Sequence, residues 1–269
     1  MTVGKRMTLR GQRADLKKLT LTASLAAVYT IFRAIPISRL IGISGTITAA
    51  GMVVPVLGVL LEPSYGIVAV FTGTIIASLF PWNPLKFYGL DFLPGALNVA
   101  LVSLAVRRRR VEATLTFLVI LGIFLINPFT TLFVGRQFLS PPIPYLWLHL
   151  IALLVLISPL SRNLANRLNS GNYRNLAIAV IVLAFTGTMI EHLTGGILFA
   201  TVVGHGALIS WPAIFVSYPI ERTILVLGAI LVCTPLLRIL RTTVAEKIEQ
   251  RMTPSTATAL DGSGSEKKG

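Results

Sequence analysis

Residues 92–133 read FLPGALNVALVSLAVRRRRVEATLTFLVILGIFLINPFTTLF, two apolar runs split by Arg107, Arg108, Arg109 and Arg110. Each run approaches the ~20 residues a helix needs to cross the hydrocarbon of a bilayer. A basic cluster between two such runs marks the cytoplasmic side of a membrane turn. The same alternation extends in both directions. It predicts spans over 19–35, 46–61, 65–80, 92–106, 113–133, 143–160, 175–191 and 212–240. Residues 193–210 are weakly apolar and Gly-rich. They read as a ninth span or a re-entrant loop, and the loop keeps the charge pattern consistent.

The charge pattern orients these spans. With the N-terminus in the cytoplasm, 19 of the 24 Lys and Arg residues fall inside. Only Arg33, Arg39, Lys86, Arg136 and Arg222 fall outside. That asymmetry follows the positive-inside rule and requires an even number of spans. The expected organisation is a basic cytoplasmic segment over 1–18, a transmembrane domain over 19–242 and a disordered cytoplasmic tail over 243–269. Both termini then lie in the cytosol of a cell-membrane protein. No small-residue cleavage site follows a short apolar core, so the first hydrophobic helix is expected to be retained.

Composition supports the same class. Of 269 residues, 54% are hydrophobic and 13% charged, against roughly 25% charged in soluble domains. The formal charge of +14 would suggest nucleic acid in a soluble protein. Here basic loops meeting anionic lipid account for it. Cys233 is the single cysteine, so no disulfide framework or cysteine metal site can form.

Polar and ionisable residues gather on the predicted outer half. Trp82, Asn83, Lys86, Tyr88 and Asp91 lie between the third and fourth spans, with Asn98 one to two turns further on. Asn127 and Arg136 sit at the outer end of the fifth span, and Trp147 and His149 begin the sixth. Glu191, His192, His205, Trp211, Tyr218, Glu221 and Arg222 surround the last outer loop. Ionisable groups at membrane depth are costly unless paired or wet. Their convergence predicts an outward pocket in which Trp and Tyr stack on a polar small molecule while Asn, Glu and His orient it. The candidate substrate-binding residues are Trp82, Asn83, Asp91, Asn98, Glu191, His192, His205, Trp211, Tyr218 and Glu221. The competing reading of the Trp and Tyr residues is an interfacial aromatic belt. Lys86, Arg39 and Arg136 read as solvated or snorkelling side chains. Asn98 and Asn127 also fit as hydrogen-bonding glue between helices. Glu191, His192 and His205 lack metal-binding spacing, so no metal or other cofactor is expected.

The first span contains LTASLAAVY at 21–29, in which Ala23 and Ala27 form a small-xxx-small stripe. Such a stripe lets another helix approach closely in lipid. This opening helix, the stretch GTITAAGMVVPVLGVLLEPSYG at 45–66, and the closing helix from Tyr218-Pro219-Ile220-Glu221-Arg222 through Gly228 to Arg238 together resemble the substrate-binding S component of energy-coupling factor (ECF) transporters, a type of ABC importer. The resemblance covers about half the chain. It implies an all-α polytopic integral membrane bundle of about eight transmembrane helices, a six-helix core plus an inserted pair at the fifth and sixth spans. It implies capture of a vitamin or related small nutrient, and docking of Ala23 and Ala27 on a transmembrane T component that works with two cytoplasmic ATPase subunits. Position 62 is Glu where the family tends to have Gly.

No Walker sequence, GxSxG or paired intramembrane aspartates occur, so the chain is expected not to be an enzyme and to leave ATP hydrolysis to partners. A stand-alone secondary carrier is the first alternative, and would need a charged residue near mid-membrane. An intramembrane enzyme is the second; only Glu191, His192 and His205 offer convergent acid–base groups for it.

Overall fold

A computed structural model describes residues 3–135 and 141–252, with side chains described over 15–135 and 141–240. Arg136 and residues 253–269 lie outside the described residues. The described chain is all-α apart from two small hairpins. Its elements are α1 (Val3–Arg33), β1 (Pro36–Arg39), β2 (Thr46–Thr48), a 3-10 turn (Ala49–Met52), α2 (Val54–Leu60), α3 (Pro63–Ala77), a second turn (Leu90–Phe92), α4 (Leu93–Val106), α5 (Arg110–Ile126), β3 (Phe133–Val134), β4 (Ile143–Pro144), α6 (Trp147–Ile157), α7 (Pro159–Arg162), α8 (Leu164–Asn169), α9 (Tyr173–Val203), a third turn (Gly204–Gly206) and α10 (Ala207–Met252). The chain divides after Thr234 into two units; the first holds every element through the proximal part of α10.

At the centre of that unit α4 touches α2, α3, α5 and α9. Its residues Val99, Leu101 and Val102 are fully buried. Small residues bring the neighbours close. A Cβ added at Gly73 of α3 would sit 3.0 Å from the backbone oxygen of Ala26 and 2.8 Å from Tyr29 Cδ1. The Thr30 hydroxyl already donates to Gly73 O at 3.4 Å across the same contact. Gly73→Val should therefore destabilise the fold by about 1–3 kcal/mol through overpacking, read as a lowered thermal midpoint of the purified protein. An unchanged midpoint would mean that α1 and α3 can separate freely.

α9 and α10 form an antiparallel hairpin in strict register. As the α9 partner advances from Thr188 to His192 to Phe199, the α10 partner retreats from Arg222 to Tyr218 to Trp211, residue for residue. Asn172 caps the start of α9 by accepting from Arg174 N at 2.9 Å. Gly204, at φ +61°, ends the helix and allows the turn. Residues 193–203 thus extend α9 instead of forming the re-entrant loop. At the far end α10 continues through Met252, into the segment assigned to a tail.

Residues 46–61 do not form one helix. Gly42 and Gly45 take φ of +80° and +144°, which turns the chain into the hairpin of β1 and β2. The β-branched residues of Thr46-Ile47-Thr48 suit a strand. Pro55 has no N–H to donate, which suits only the first turn of α2. Residues 143–160 shorten for related reasons: β4 occupies the start, and Pro159 pushes Ser158 into the extended region, with ψ 167°.

These breaks bear on span number. Among the described residues one helical stretch, Tyr173–Leu240, is long and apolar enough to cross a membrane; Pro63–Ala77, Leu90–Val106 and Trp147–Ile157 are apolar but shorter. At ~1.5 Å per residue, 15 residues reach about 22 Å, short of the ~30 Å hydrocarbon core. Eight spans are therefore not supported by helix length. Large apolar side chains are nonetheless exposed along whole helices. Examples are Val68, Phe71 and Ile76 on α3, Leu154 on α6, and Ile209, Val216, Ile220 and Leu231 on α10.

Glu62 pairs with Lys18 at 2.9 Å, with both side chains about half exposed. Each charge is held by the other's hydrogen bond: Glu62 lies below the ordinary carboxylate range and Lys18 above its usual range. The pair fastens the middle of α1 to the turn before α3, which gives the acidic residue at this turn a physical role.

Candidate functional site

A cavity of about 150 Å³ opens between α1, the hairpin of β1 and β2, the loop before α4, and the α9–α10 pair. Its walls combine charge and aromatic surface. Asp91, Glu191 and Glu221 line it together with Arg33, Arg39, Lys86 and Arg222. His192, Phe199 and Trp211 supply rings, and the hairpin contributes Leu40, Ile41 and Ile47.

Local structure positions each group. The outer loop is folded around Asp91, whose carboxylate accepts from Lys86 N at 2.9 Å and Phe87 N at 2.9 Å. Asp91 thereby spends its hydrogen-bonding capacity on the loop. Lys86 Nζ reaches Thr46 O at 3.3 Å and Asn83 Oδ1 at 3.5 Å, joining that loop to β2. Burial holds the Lys86 ammonium below its ordinary pKa, Arg33 adds to this, and Asp91 opposes it. The hairpin is fastened to α10 where Ser38 Oγ donates to Glu221 Oε1 at 2.8 Å. Asn98 Nδ2 donates to Glu191 Oε2 at 2.6 Å and ties α4 to α9.

An aromatic stack backs the cavity. Trp211 is 1% exposed, donates Nε1–H to Phe129 O at 2.8 Å, and packs edge-on against Phe124, Tyr145 and Phe199. Tyr218 donates to Tyr145 O at 3.1 Å and stacks on His192 with ring centroids 4.6 Å apart. His149, fully buried, meets His192 with Nε2 and Nδ1 2.9 Å apart.

Of the residues singled out in the sequence, Asp91, Glu191, His192, Trp211 and Glu221 line the cavity. Asn98 and Tyr218 stand behind the wall, through Glu191 and His192 respectively. Asn83 is buried behind Lys86, donating to Arg33 O at 3.4 Å. Two lie elsewhere. Trp82 is 56% exposed, stacked on Phe80 and bonded to Ala34 O at 3.2 Å, which draws it onto the outer surface. His205 sits exposed in the turn between α9 and α10, edge-on to Phe129, apart from Glu191 and His192. Asn127 caps its own loop, accepting from Phe129 N at 2.9 Å, and also ties the end of α5 to α9 by donating to Thr201 Oγ1 at 3.2 Å.

Arg39 and Lys86, read from the sequence as solvated or snorkelling, are wall residues, as are Arg33 and Arg222. His149 is a further residue that the sequence placed at the start of a span without a task. Comparison with family models, curated proteins and solved structures finds no match for this chain.

Glu191 is the wall residue whose removal tests the cavity most directly. Glu191→Ala leaves Asn98 Nδ2 without its acceptor and loosens the α4–α9 tie that shapes the cavity wall. Ligand affinity should fall about tenfold or more, measured on the purified chain with its co-purified ligand. Glu191→Gln, which still accepts from Asn98, should lose less. Wild-type affinity in both variants would put the ligand elsewhere.

Proposed function

We propose that the chain is the membrane-embedded substrate-capture subunit of an ECF-type importer for a vitamin or related small nutrient. It takes the nutrient from outside and reorients with an ATPase-driven partner complex, made of a transmembrane T component and two cytoplasmic ATPase subunits. It resides in the cell membrane as a multi-pass protein with both termini in the cytoplasm.

The observation that carries this reading is the pairing of a cavity lined by both charged and apolar side chains with an outer helix face that exposes small residues. α1 turns Leu25, Ala26 and Tyr29 inward, where they are buried, and leaves Ala23 and Ala27 exposed. A cavity bordered by a hairpin and a loop suits capture, and small exposed residues suit sliding contact with another helix. The long apolar stretch Tyr173–Leu240 and the exposed apolar helix faces support residence in lipid. The chain's own residues bind, orient and exclude water; ATP hydrolysis falls to the partners.

One observation favours a second reading, the stand-alone secondary carrier. Glu191 and His192 lie well inside α9, not at its end, and an ion-coupled carrier needs an ionisable group at membrane depth. Expression alone and together with partners separates the two. The importer reading expects the chain to co-purify with a T component and two ATPases, and uptake to stop when ATP is depleted. Uptake by cells that lack any such partner would overturn it in favour of the carrier.

A further inference from the structure

The charges around the cavity do not neutralise one another. Four cations, Arg33, Arg39, Lys86 and Arg222, share its walls with three carboxylates. The side-chain ion pairs among the described residues, Lys18 with Glu62 and Arg109 with Glu112, involve none of them. Asp91 is occupied by backbone N–H groups. Glu191 and Glu221 each accept from a neutral neighbour, Asn98 and Ser38. Arg222 is 6% exposed, donates to Thr188 Oγ1 at 3.1 Å, and has its buried Nε unpartnered. Arg33 Nε is buried and unpartnered as well. A buried guanidinium with idle donors is costly unless an acceptor arrives.

The two histidines point the same way. His149 Nε2 and His192 Nδ1 share one hydrogen bond, and His149 Nδ1 is buried with no partner. An N–H stranded there would cost more than an idle lone pair, because orphaned buried donors are the rarer case. The shared proton therefore belongs to His149 Nε2, and His192 Nδ1 accepts it. A neutral His192 then carries its own proton on Nε2. His192 lines the cavity, and its bond to the protein is made through Nδ1. Arg222 follows Tyr218 by one turn of α10, while Thr188 precedes His192 by one turn of α9. The guanidinium and the imidazole thus occupy facing turns of one hairpin.

We infer that the cavity takes a small molecule bearing a carboxylate or phosphate, received by the Arg222 guanidinium and the His192 Nε2–H, with His149 as the positioning residue that fixes the donor tautomer. The inference rests on the cavity being the ligand site of the proposed capture subunit, and it supplies the class of ligand. Arg33 from α1 and Lys86 from the loop before α4 add positive potential to the same cavity. A planar guanidinium beside a ring N–H matches the oxygens of such an anion.

The test uses the isolated full chain in detergent, with no transport partner. Small molecules retained through purification are released by denaturation and identified by mass spectrometry. Thermal unfolding is followed with biotin against biotinamide, nicotinate against nicotinamide, and inorganic phosphate against chloride at equal ionic strength. The retained molecule should be acidic. Anions should stabilise the chain where their amides or chloride do not. Arg222→Gln and His192→Asn should weaken anion binding about ten- to hundredfold. His192→Gln, whose amide N–H stands near the Nε2 position, should lose less. Lys86→Gln, in the outer loop, is the variant to use if the α10 substitution fails to fold. The three histidines of the chain make nitrogen-15 spectra simple to assign. His192 should be protonated at Nε2 in the native chain and should lose that preference in His149→Phe. A neutral or cationic retained molecule, equal response to acid and amide, or no response to any anion would each overturn the inference. So would His192 protonated at Nδ1 in the native chain. Because no partner is present, anion binding by a chain that never associates with ATPases would sink the importer reading alone.

Discussion

Uptake should fall to background when Ala23 and Ala27 are both replaced by Trp, while ligand affinity stays at its native value. The reason lies in the two faces of α1. Leu25, Ala26 and Tyr29 are buried, and Thr30 bonds Gly73 O on α3. Leu16, Thr20, Ala23, Ala27 and Ile31 share the opposite, exposed face. Indole rings at 23 and 27 would add bulk there without touching Arg33, the α1 residue that lines the cavity. A helix that must approach a partner closely loses that approach when its small residues grow. Uptake in cells and binding by the purified variant separate the two effects. Undiminished uptake would mean that another face docks, and lost binding would mean that the substitutions reach the cavity.

Trp211→Ala should cost about 3–5 kcal/mol of stability, the usual range for removing a large buried aromatic. That is a large share of the ~5–15 kcal/mol by which a domain is stable. Trp211 touches three aromatic rings and satisfies Phe129 O. Its removal would open a void beside the cavity and orphan a carbonyl. Trp211→Phe should recover most of the packing and none of the hydrogen bond, so its midpoint should fall between those of wild type and Ala. Thermal unfolding of the detergent-solubilised chain measures both. A wild-type midpoint for the Ala variant would show that the ring stack is not what holds α10.

The apolar runs were the legible part of the fold. Helices stand where the sequence led us to expect them over 19–35, 65–80, 92–106, 113–133, 175–191 and 212–240, with ends shifted. Glycine misled in both directions. The Gly-rich stretch 193–210 reads as a ninth span or a loop, yet Gly195 and Gly196 lie inside α9; a Cβ at Gly196 would come within 3.2 Å of the Phe124 ring. Close packing explains that residue better than a turn does. At 46–61 the reverse occurred: an apolar run looked like a span, while Gly45 and Pro55 had already fixed a hairpin and a late helix start.

The cavity was half legible. Ionisable residues beside apolar runs led to Asp91, Glu191, His192 and Glu221, and the aromatic beside them to Trp211. The cations were legible only in part: Lys86 and Arg222 stand among the outer polar residues, but none of the four is among the candidate substrate-binding residues, because a solvated or snorkelling side chain accounts for an isolated cation at a membrane edge equally well. Five Lys and Arg residues broke the inside pattern, and the four that are described, Arg33, Arg39, Lys86 and Arg222, all line the cavity. Their misfit was the signal. The His149–His192 contact lay beyond reach, since no spacing rule joins positions 43 residues apart.

The residue-for-residue match of α9 with α10 makes the pair intolerant of length change. One residue inserted between Thr188 and Phe199 would rotate everything after it by about 100°. His192 and Phe199, or Phe199 alone, would swing off their partners together, while Thr188 kept its own. Sequence drift here can exchange side chains far more easily than it can gain or lose a position, and a compensating insertion in the facing helix could restore alignment but not rotation.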